Sequence, residues 1–171
     1  TPTLANKRDI TPQGAKWVEP GNFSPDGRHL LLSTDIGIKN AMGQDQWVLD
    51  ISNGSARALT NTPTVWDEHG VYAPNGRKIV FMSSYPYRQE PDSYKTLSLK
   101  TEFMLMDADG SHLQQLTHFN VPGYPESQSE RTIAAVAAFM GDGSQMLALN
   151  MGPDFTKVAR LVTFEGRCGG D

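Results

Sequence analysis

The sequence has one cysteine, Cys168, so an intrachain disulfide framework is excluded. Long hydrophobic runs are also missing. The longest run, residues 133–140, is far shorter than the roughly 20 apolar residues that a membrane-spanning helix needs. We therefore predict no membrane span. Residues 1–4 also lack the basic and apolar regions of a signal peptide.

Positive charge is scarce and scattered. The sequence holds 15 Lys and Arg against 19 Asp and Glu, for a net charge of -4. Because no Lys or Arg residues form a stripe, we expect neither nucleic acid nor an anionic membrane as a partner. The G-x-S-x-G and H-E-x-x-H motifs are absent, so neither hydrolase signature assigns a catalytic residue.

Turn-forming residues are plentiful, with 16 Gly and 11 Pro, and they recur inside an internal repeat. Residues 11–27 align with residues 60–76 without a gap. The matched pairs include Trp17 with Trp66, Glu19 with Glu68, Gly21 with Gly70, Phe23 with Tyr72, Pro25 with Pro74, Asp26 with Asn75 and Gly27 with Gly76. A repeat of this length indicates a repeated architectural unit.

Short apolar segments separated by turn signals predict an all-β fold. The repeat divides the chain into units of about 12–60, 61–117 and 118–166, within one β-propeller segment covering residues 1–171. The order is one outer strand at 8–11, then four strands, four strands and three strands. These strands make three antiparallel four-stranded blades if the N-terminal strand completes a last blade.

Three blades are too few for a closed ring, since propellers begin near four blades. Two alternatives follow. The chain is the C-terminal half of a longer propeller, or two copies join as a homodimer into a six-bladed ring. In the homodimer, each N-terminal strand completes the last blade of the partner through an isologous interface.

Three segments resemble the WD40-like (PD40) repeats of TolB-type β-propellers. They are F-S-P-D-G-R-H-L-L-L-S at 23–33, Y-A-P-N-G-R-K-I-V-F-M-S at 72–83 and L-M-D-A-D-G-S-H-L-Q-Q-L-T at 105–117. The third unit departs from the pattern, because Met140 and Gly141 stand where Ser-Pro is expected. The resemblance implies a bacterial, periplasmic or secreted protein that binds another protein.

The residue types best suited to catalysis or metal binding form one cluster, Asp67, Glu68 and His69, which we place in the link between two blades. Carboxylates beside a histidine can bind a divalent metal or act as acid and base. A metal site would use Glu68, His69 and His118. The alternative is a structural role at the blade junction, which the repeat partners of Trp66 and Glu68 favour.

Two insertions lengthen loops on the same expected face, and inserted loops on repeat scaffolds often bind partners. The first insertion, residues 85–100, contributes Tyr85, Tyr87, Arg88 and Tyr94 to a predicted binding rim. The second, residues 118–131, contributes His118, Tyr124, Glu126 and Arg131, and the matching loop of unit three adds Asp154. The alternative is that both insertions are ordinary loops or connectors.

These observations favour a non-enzymatic propeller scaffold that binds a protein or peptide partner, without a cofactor, through loops on one face. A small carbohydrate is a further candidate ligand, because aromatic and cationic side chains suit it. Two enzymatic alternatives stay open. The chain could be the propeller part of a metal-dependent sugar-acid lyase or hydrolase, or of a serine peptidase whose catalytic domain lies elsewhere.

Overall fold

A computed structural model of the chain describes residues 5–40, 42–90, 98–128 and 131–163. These residues form three antiparallel sheets. Blade 1 contains β1 (Val18–Phe23), β2 (His29–Thr34), β3 (Asp45–Asp50) and β4 (Ala56–Ala58). Blade 2 contains β5 (Asp67–Tyr72), β6 (Lys78–Ser83), β7 (Glu102–Asp107) and β8 (Gln114–Gln115). Blade 3 contains β9 (Ile133–Phe139), β10 (Gln145–Met151) and β11 (Lys157–Thr163).

Within each blade the strands pair in chain order, which is the arrangement of a propeller blade. The all-β prediction is confirmed, and so is the three-blade organisation. A single 3₁₀ turn at Tyr85–Tyr87 is the one helical element among the described residues. The described part of the chain also contains no helix with the length and hydrophobicity that a membrane crossing requires.

The turn between the first two strands of each blade follows from local chemistry. Asp26 accepts a hydrogen bond from the backbone N–H of Arg28 at 3.0 Å, and Asn75 does the same for Arg77 at 3.0 Å. The glycine that follows Asp26 has φ of 71°, a left-handed conformation that costs glycine little. The recurring Asx residues therefore shape turns, as the sequence predicts.

The blades pack face to face through apolar side chains. Leu31 of blade 1 packs against Ile79, Phe81 and Met106 of blade 2. A second cluster joins blades 2 and 3, and it includes Val80, Phe103, Phe119, Ala134 and Met146. The innermost strands β1, β5 and β9 lie side by side in that order.

Gly21 and Gly70 let the innermost strands of blades 1 and 2 approach closely. A Cβ atom at Gly21 would overlap the backbone carbonyl oxygen of Gly70. A Cβ atom at Gly70 would overlap the side-chain amide of Gln46. The matched glycines of the repeat are therefore needed for close packing at this junction.

A buried carboxylate fixes the point where the chain leaves each of the first two blades. Asp45 accepts a hydrogen bond from Thr60 Oγ1 at 2.8 Å and from the Thr62 backbone N–H at 2.9 Å. In blade 2, Glu102 accepts from Thr117 Oγ1 at 2.8 Å and from the Phe119 backbone N–H at 2.8 Å. These bonds satisfy buried backbone donors of the links, which would otherwise be costly.

Two expectations differ from the structure. Residues 8–11 form no strand, and Ile10 instead packs against the apolar cluster of Leu30, Leu32 and Leu49 on the free face of blade 1. A strand needs a hydrogen-bonding neighbour, and no described strand is available to this segment. Completion of a blade in another copy by residues 8–11 stays a prediction. The second difference concerns the cluster of Asp67, Glu68 and His69, which opens strand β5 rather than lying in the link.

Candidate functional site

The links between blades and the loops between second and third strands all emerge at one end of the sheets, because the strands alternate in direction. We call this end the loop face. Its described segments are residues 12–17, 35–40, 42–44, 59–66, 84–90, 98–101, 116–128, 131–132 and 152–156. Every predicted rim residue except Tyr94 belongs to this face or borders it. Tyr94 lies outside the described residues.

Glu68 and His69 meet Glu19 of the neighbouring blade at the start of the innermost strands. His69 Nδ1 lies 2.9 Å from Glu19 Oε1, and His69 Nε2 lies 3.4 Å from Glu68 Oε2. The imidazole therefore bridges two carboxylates. Both glutamates occupy the same position of the repeat, so the cluster arises from the packing of one repeat unit against the next.

The backbone at His69 adopts a left-handed conformation with φ of 56°. This conformation is uncommon for residues other than glycine, although His adopts it more often than most. It coincides with a β-bulge between Glu68 and Val71, where the pairing of β5 with β6 shifts. Bulges of this kind redirect side chains, and this one turns the His69 ring toward Glu19.

Burial controls the protonation of the cluster. Burial, with help from the neighbouring Glu19 carboxylate, raises the pKa of Glu68 to about 7. Burial also lowers the pKa of His69, while Glu19 opposes that shift. Asp67 lies behind the cluster, and burial raises its pKa to about 7 even though Ser83 and Thr62 donate hydrogen bonds to it. The carboxyl groups of Glu68 and Asp67 therefore both lose their protons near neutral pH.

The ligand atoms of Glu19, Glu68 and His69 all lie within 4.8 Å of one another, so these three residues could hold a divalent cation. His118, which the sequence suggested as the third ligand, is not in this group. Its Nδ1 instead lies 3.3 Å from Glu126 Oε1. Glu19 takes its place in the cluster, and its repeat match with Glu68 was the signal that could have identified it.

A cavity of about 230 Å³ opens beside the cluster, between blades 1 and 2. We call it the tryptophan cavity, and its lining residues include Trp17, Asp35, Met42, Gln44, Trp66 and Glu68. Trp66 Nε1 donates to Glu68 Oε2 at 3.0 Å, and Gln44 Nε2 donates to Glu68 Oε1 at 2.7 Å. Trp17 is 57% exposed, an unusual exposure for so large an apolar side chain.

In the sequence, the match of Trp17 with Trp66 favoured a structural role at the blade junction, and nothing singled out Asp35, Met42 or Gln44. Segments 35–40 and 42–44 bring these three residues to the cavity, and a parallel bridge between Gln44 and Trp66 fixes the end of the second segment. Nothing in the pattern of these segments marks them as functional, so only the folded chain shows the site.

The first insertion divides into exposed and buried residues. Arg88 is exposed, and its guanidinium lies 3.9 Å from the centre of the half-buried Tyr85 ring. Tyr87 points inward, contrary to its assignment to the rim, and is only 7% exposed. Its hydroxyl donates to Glu102 Oε1 at 2.6 Å, and burial raises the Tyr87 pKa above its usual value. Tyr87 therefore supports the buried Glu102 network.

The second insertion presents a stacked aromatic pair. The rings of His118 and Tyr124 lie 3.8 Å apart and are nearly parallel, and Tyr124 is exposed. Arg131 ties the second insertion to neighbouring loops, since it donates to Leu99 O at 2.9 Å and Pro153 O at 3.2 Å. Asp154 is exposed and accepts the Thr156 backbone N–H at 2.9 Å in its own turn.

Comparison with known proteins identifies the fold. No protein-family model and no curated protein sequence matches this chain. A structure of a TolB candidate from Agrobacterium tumefaciens shares 18% identity at a TM-score of 0.66, covering 92% of this chain and 49% of the other. The chain therefore spans about half the length of that structure.

Two further structures are similar to the chain. TolB from Acinetobacter baumannii shares 18% identity over 92% of this chain and 35% of its own, at a TM-score of 0.46, which is too low to support an argument. A prolyl endopeptidase shares 11% identity over 88% of this chain and 18% of its own, at a TM-score of 0.53. At these identities the likeness concerns architecture alone, and the chain has the fold of a TolB-like β-propeller.

Proposed function

We propose that this protein is a non-enzymatic propeller scaffold that binds a protein or peptide partner through its loop face. The tryptophan cavity, which Trp17 and Trp66 border on this face, carries the proposal. Tryptophan next to a pocket is the side chain that most often dominates the energy of a protein interface. The fold supplies a rigid support for such a face, because its loops are anchored by buried hydrogen bonds such as those of Glu102.

Further aromatic and cationic groups extend the proposed surface. Arg88 over Tyr85 and the stacked His118 and Tyr124 lie on loops of the same face. Such groups suit a polypeptide, since they offer planar contact area together with charge. They also suit a small carbohydrate, which makes sugar binding a competing outcome that the experiment must separate.

Selection from a displayed library of random peptides tests the proposal. The wild-type protein should enrich peptides that bind it, and Trp17→Ala should weaken that binding at least tenfold, as expected for a residue that dominates an interface. Leu113→Ala is a matched control, because Leu113 is 41% exposed but follows the hairpin turn at the opposite end of blade 2.

Enriched peptides that bind Trp17→Ala as well as wild type would contradict the proposed surface. Failure to enrich any peptide, combined with binding on a glycan array, would replace the polypeptide partner with a carbohydrate. The stability of both variants should be measured by thermal unfolding, so that a loss of binding is not confused with a loss of fold.

One observation favours an enzymatic alternative. The grouping of Glu19, Glu68 and His69 within 4.8 Å would suit a metal-dependent sugar-acid lyase or hydrolase. Metal content measured after purification without chelator, followed by titration with Mn²⁺ and Zn²⁺, tests this alternative. A stoichiometric metal that raises the unfolding temperature would support it, and a metal-free protein indifferent to both ions would oppose it.

We also propose that two copies form a homodimer that closes one ring, in a bacterial periplasmic or secreted setting. On the face of blade 3 that points away from blade 2, Leu147 pairs with Leu161, and among the described residues these side chains are 51% and 61% exposed. An exposed apolar sheet face of this kind is costly in water unless another surface covers it. The molecular mass in solution tests the assembly, and cell fractionation tests the location.

A further inference from the structure

Asp35 supplies the negative charge of the tryptophan cavity. Glu68 adds a carboxyl group that His69 approaches at 3.4 Å from outside the lining, and none of the described residues that line the cavity carries positive charge. Backbone N–H groups of Lys16 and Trp17 donate to Asp35 Oδ1 at 2.9 and 3.1 Å. Burial raises the pKa of Asp35, but these hydrogen bonds outweigh it and lower the pKa overall, so this carboxylate is anionic at neutral pH.

Gln44 supplies an independent observation. Its side chain is only 6% exposed, and its Nε2 is occupied by the hydrogen bond to Glu68. Its Oε1 is buried without any hydrogen-bond partner. A buried acceptor without a donor is destabilising, so an occupant of the cavity that donates a hydrogen bond would relieve this cost.

The apolar walls define the rest of the occupant. Trp17, Trp66 and Met42 surround the polar groups, and aromatic faces attract cations as well as aliphatic chains. The volume of about 230 Å³ is below the range of roughly 300–1,000 Å³ typical of sites for drug-sized ligands. It suits a single flexible side chain with a charged end.

From these three observations we infer that the tryptophan cavity binds a primary alkylammonium group, the side chain of a lysine in the peptide partner. The aliphatic stem lies against Trp17 and Met42. The ammonium has three N–H donors, which suit the anionic carboxylate of Asp35, the unpaired Oε1 of Gln44 and a carboxyl oxygen of Glu68. This inference rests on the proposed function, and it names the residue of the partner that the loop face recognises.

A titration with small lysine analogues tests the inference without knowledge of the partner. The probes are N-acetyl-lysine methylamide and its norleucine counterpart, which has a similar aliphatic stem but no ammonium. Binding is followed by tryptophan fluorescence at low ionic strength. We expect saturable binding of the lysine probe and at least tenfold weaker binding of the norleucine probe. Equal binding of the two probes would overturn the inference.

Variants locate the effect. Asp35→Asn and Glu68→Gln keep the shape of each side chain. Asp35→Asn removes the anionic charge and should weaken lysine binding severalfold, and the double variant should abolish it. Asp50→Asn is the control, because Asp50 ends β3 at the opposite end of blade 1. If Glu68→Gln does not fold, Asp35→Asn and Trp17→Ala still test the site. Unchanged lysine binding in the double variant would refute the assignment.

Two further outcomes separate the competing ideas. Saturable binding of Mn²⁺ that depends on Glu68, without binding of the lysine probe, would overturn the inference in favour of a metal site. Library peptides that require Trp17 but contain no essential lysine would refute the inference while leaving the proposed function intact. Lysine binding without any peptide enrichment would instead refute the proposed function.

Discussion

The raised pKa of Glu68 makes the stability of the protein depend on pH. The folded state holds a proton on Glu68 up to about pH 7, whereas the unfolded chain releases it near the ordinary value of 4.5. The free energy of unfolding therefore falls as pH rises from 4.5 to 7 and levels off above that window. At about 1.4 kcal/mol per pKa unit, ionisation of Glu68 alone lowers the free energy of unfolding by about 3 kcal/mol across this window.

This estimate needs little discount for solvent screening, because the Glu68 side chain is only 10% exposed. Asp67 acts in the same direction, since burial raises its pKa to about 7 as well. His69 acts in the opposite direction. Its pKa is lowered, so the folded protein releases the His69 proton at a lower pH than the unfolded chain does. A comparison of variants isolates the Glu68 contribution from these two.

Urea unfolding followed by circular dichroism at pH 5 and pH 8 provides the measurement. Wild type should be less stable at pH 8 than at pH 5. In Glu68→Gln this difference in the free energy of unfolding should be about 3 kcal/mol smaller, because glutamine cannot ionise. Glu90→Gln is the control, since Glu90 is 46% exposed on the same face. A pH dependence that is the same in Glu68→Gln and wild type would refute the reasoning.

Three further predictions follow from the packing and the open blade faces. Gly21→Ala should lower the free energy of unfolding by about 1–3 kcal/mol, because its Cβ overlaps the Gly70 carbonyl, while Gly141→Ala, in open space, should change it little. Tyr87→Phe should cost about 1.5–3 kcal/mol in chemical denaturation, since Glu102 loses a buried donor. Light scattering should give a mass of twice 18.8 kDa, and a stable monomer would contradict the homodimer.

The sequence predicts the strands well where turn chemistry and apolar runs coincide. The second strands of blades 1 and 2, His29–Thr34 and Lys78–Ser83, coincide with the apolar runs that follow the matched turns of the repeat. Each follows a Pro-Asx-Gly turn that fixes its start, and each is buried along most of its length. The outer strands are short, since β4 has three residues and β8 only two.

The candidate site is harder to predict, since it depends on contacts between segments that are distant in the sequence. Trp17 and Trp66 occupy matched repeat positions, yet Trp66 is half-buried while Trp17 stays exposed. The repeat pattern cannot distinguish them, because no described blade precedes blade 1 and covers Trp17. Likewise, the inward direction of Tyr87 depends on Glu102, a partner 15 residues away that begins strand β7.

The central claim, that the loop face binds a peptide at the tryptophan cavity, is tested most directly by NMR of the indole N–H groups. The chain has three tryptophans, and Trp47 lies in β3 beyond the cavity lining. A saturating library-selected peptide should shift the Trp17 and Trp66 signals and leave the Trp47 signal unchanged. Unchanged signals from Trp17 and Trp66, or a shift confined to Trp47, would contradict the claim.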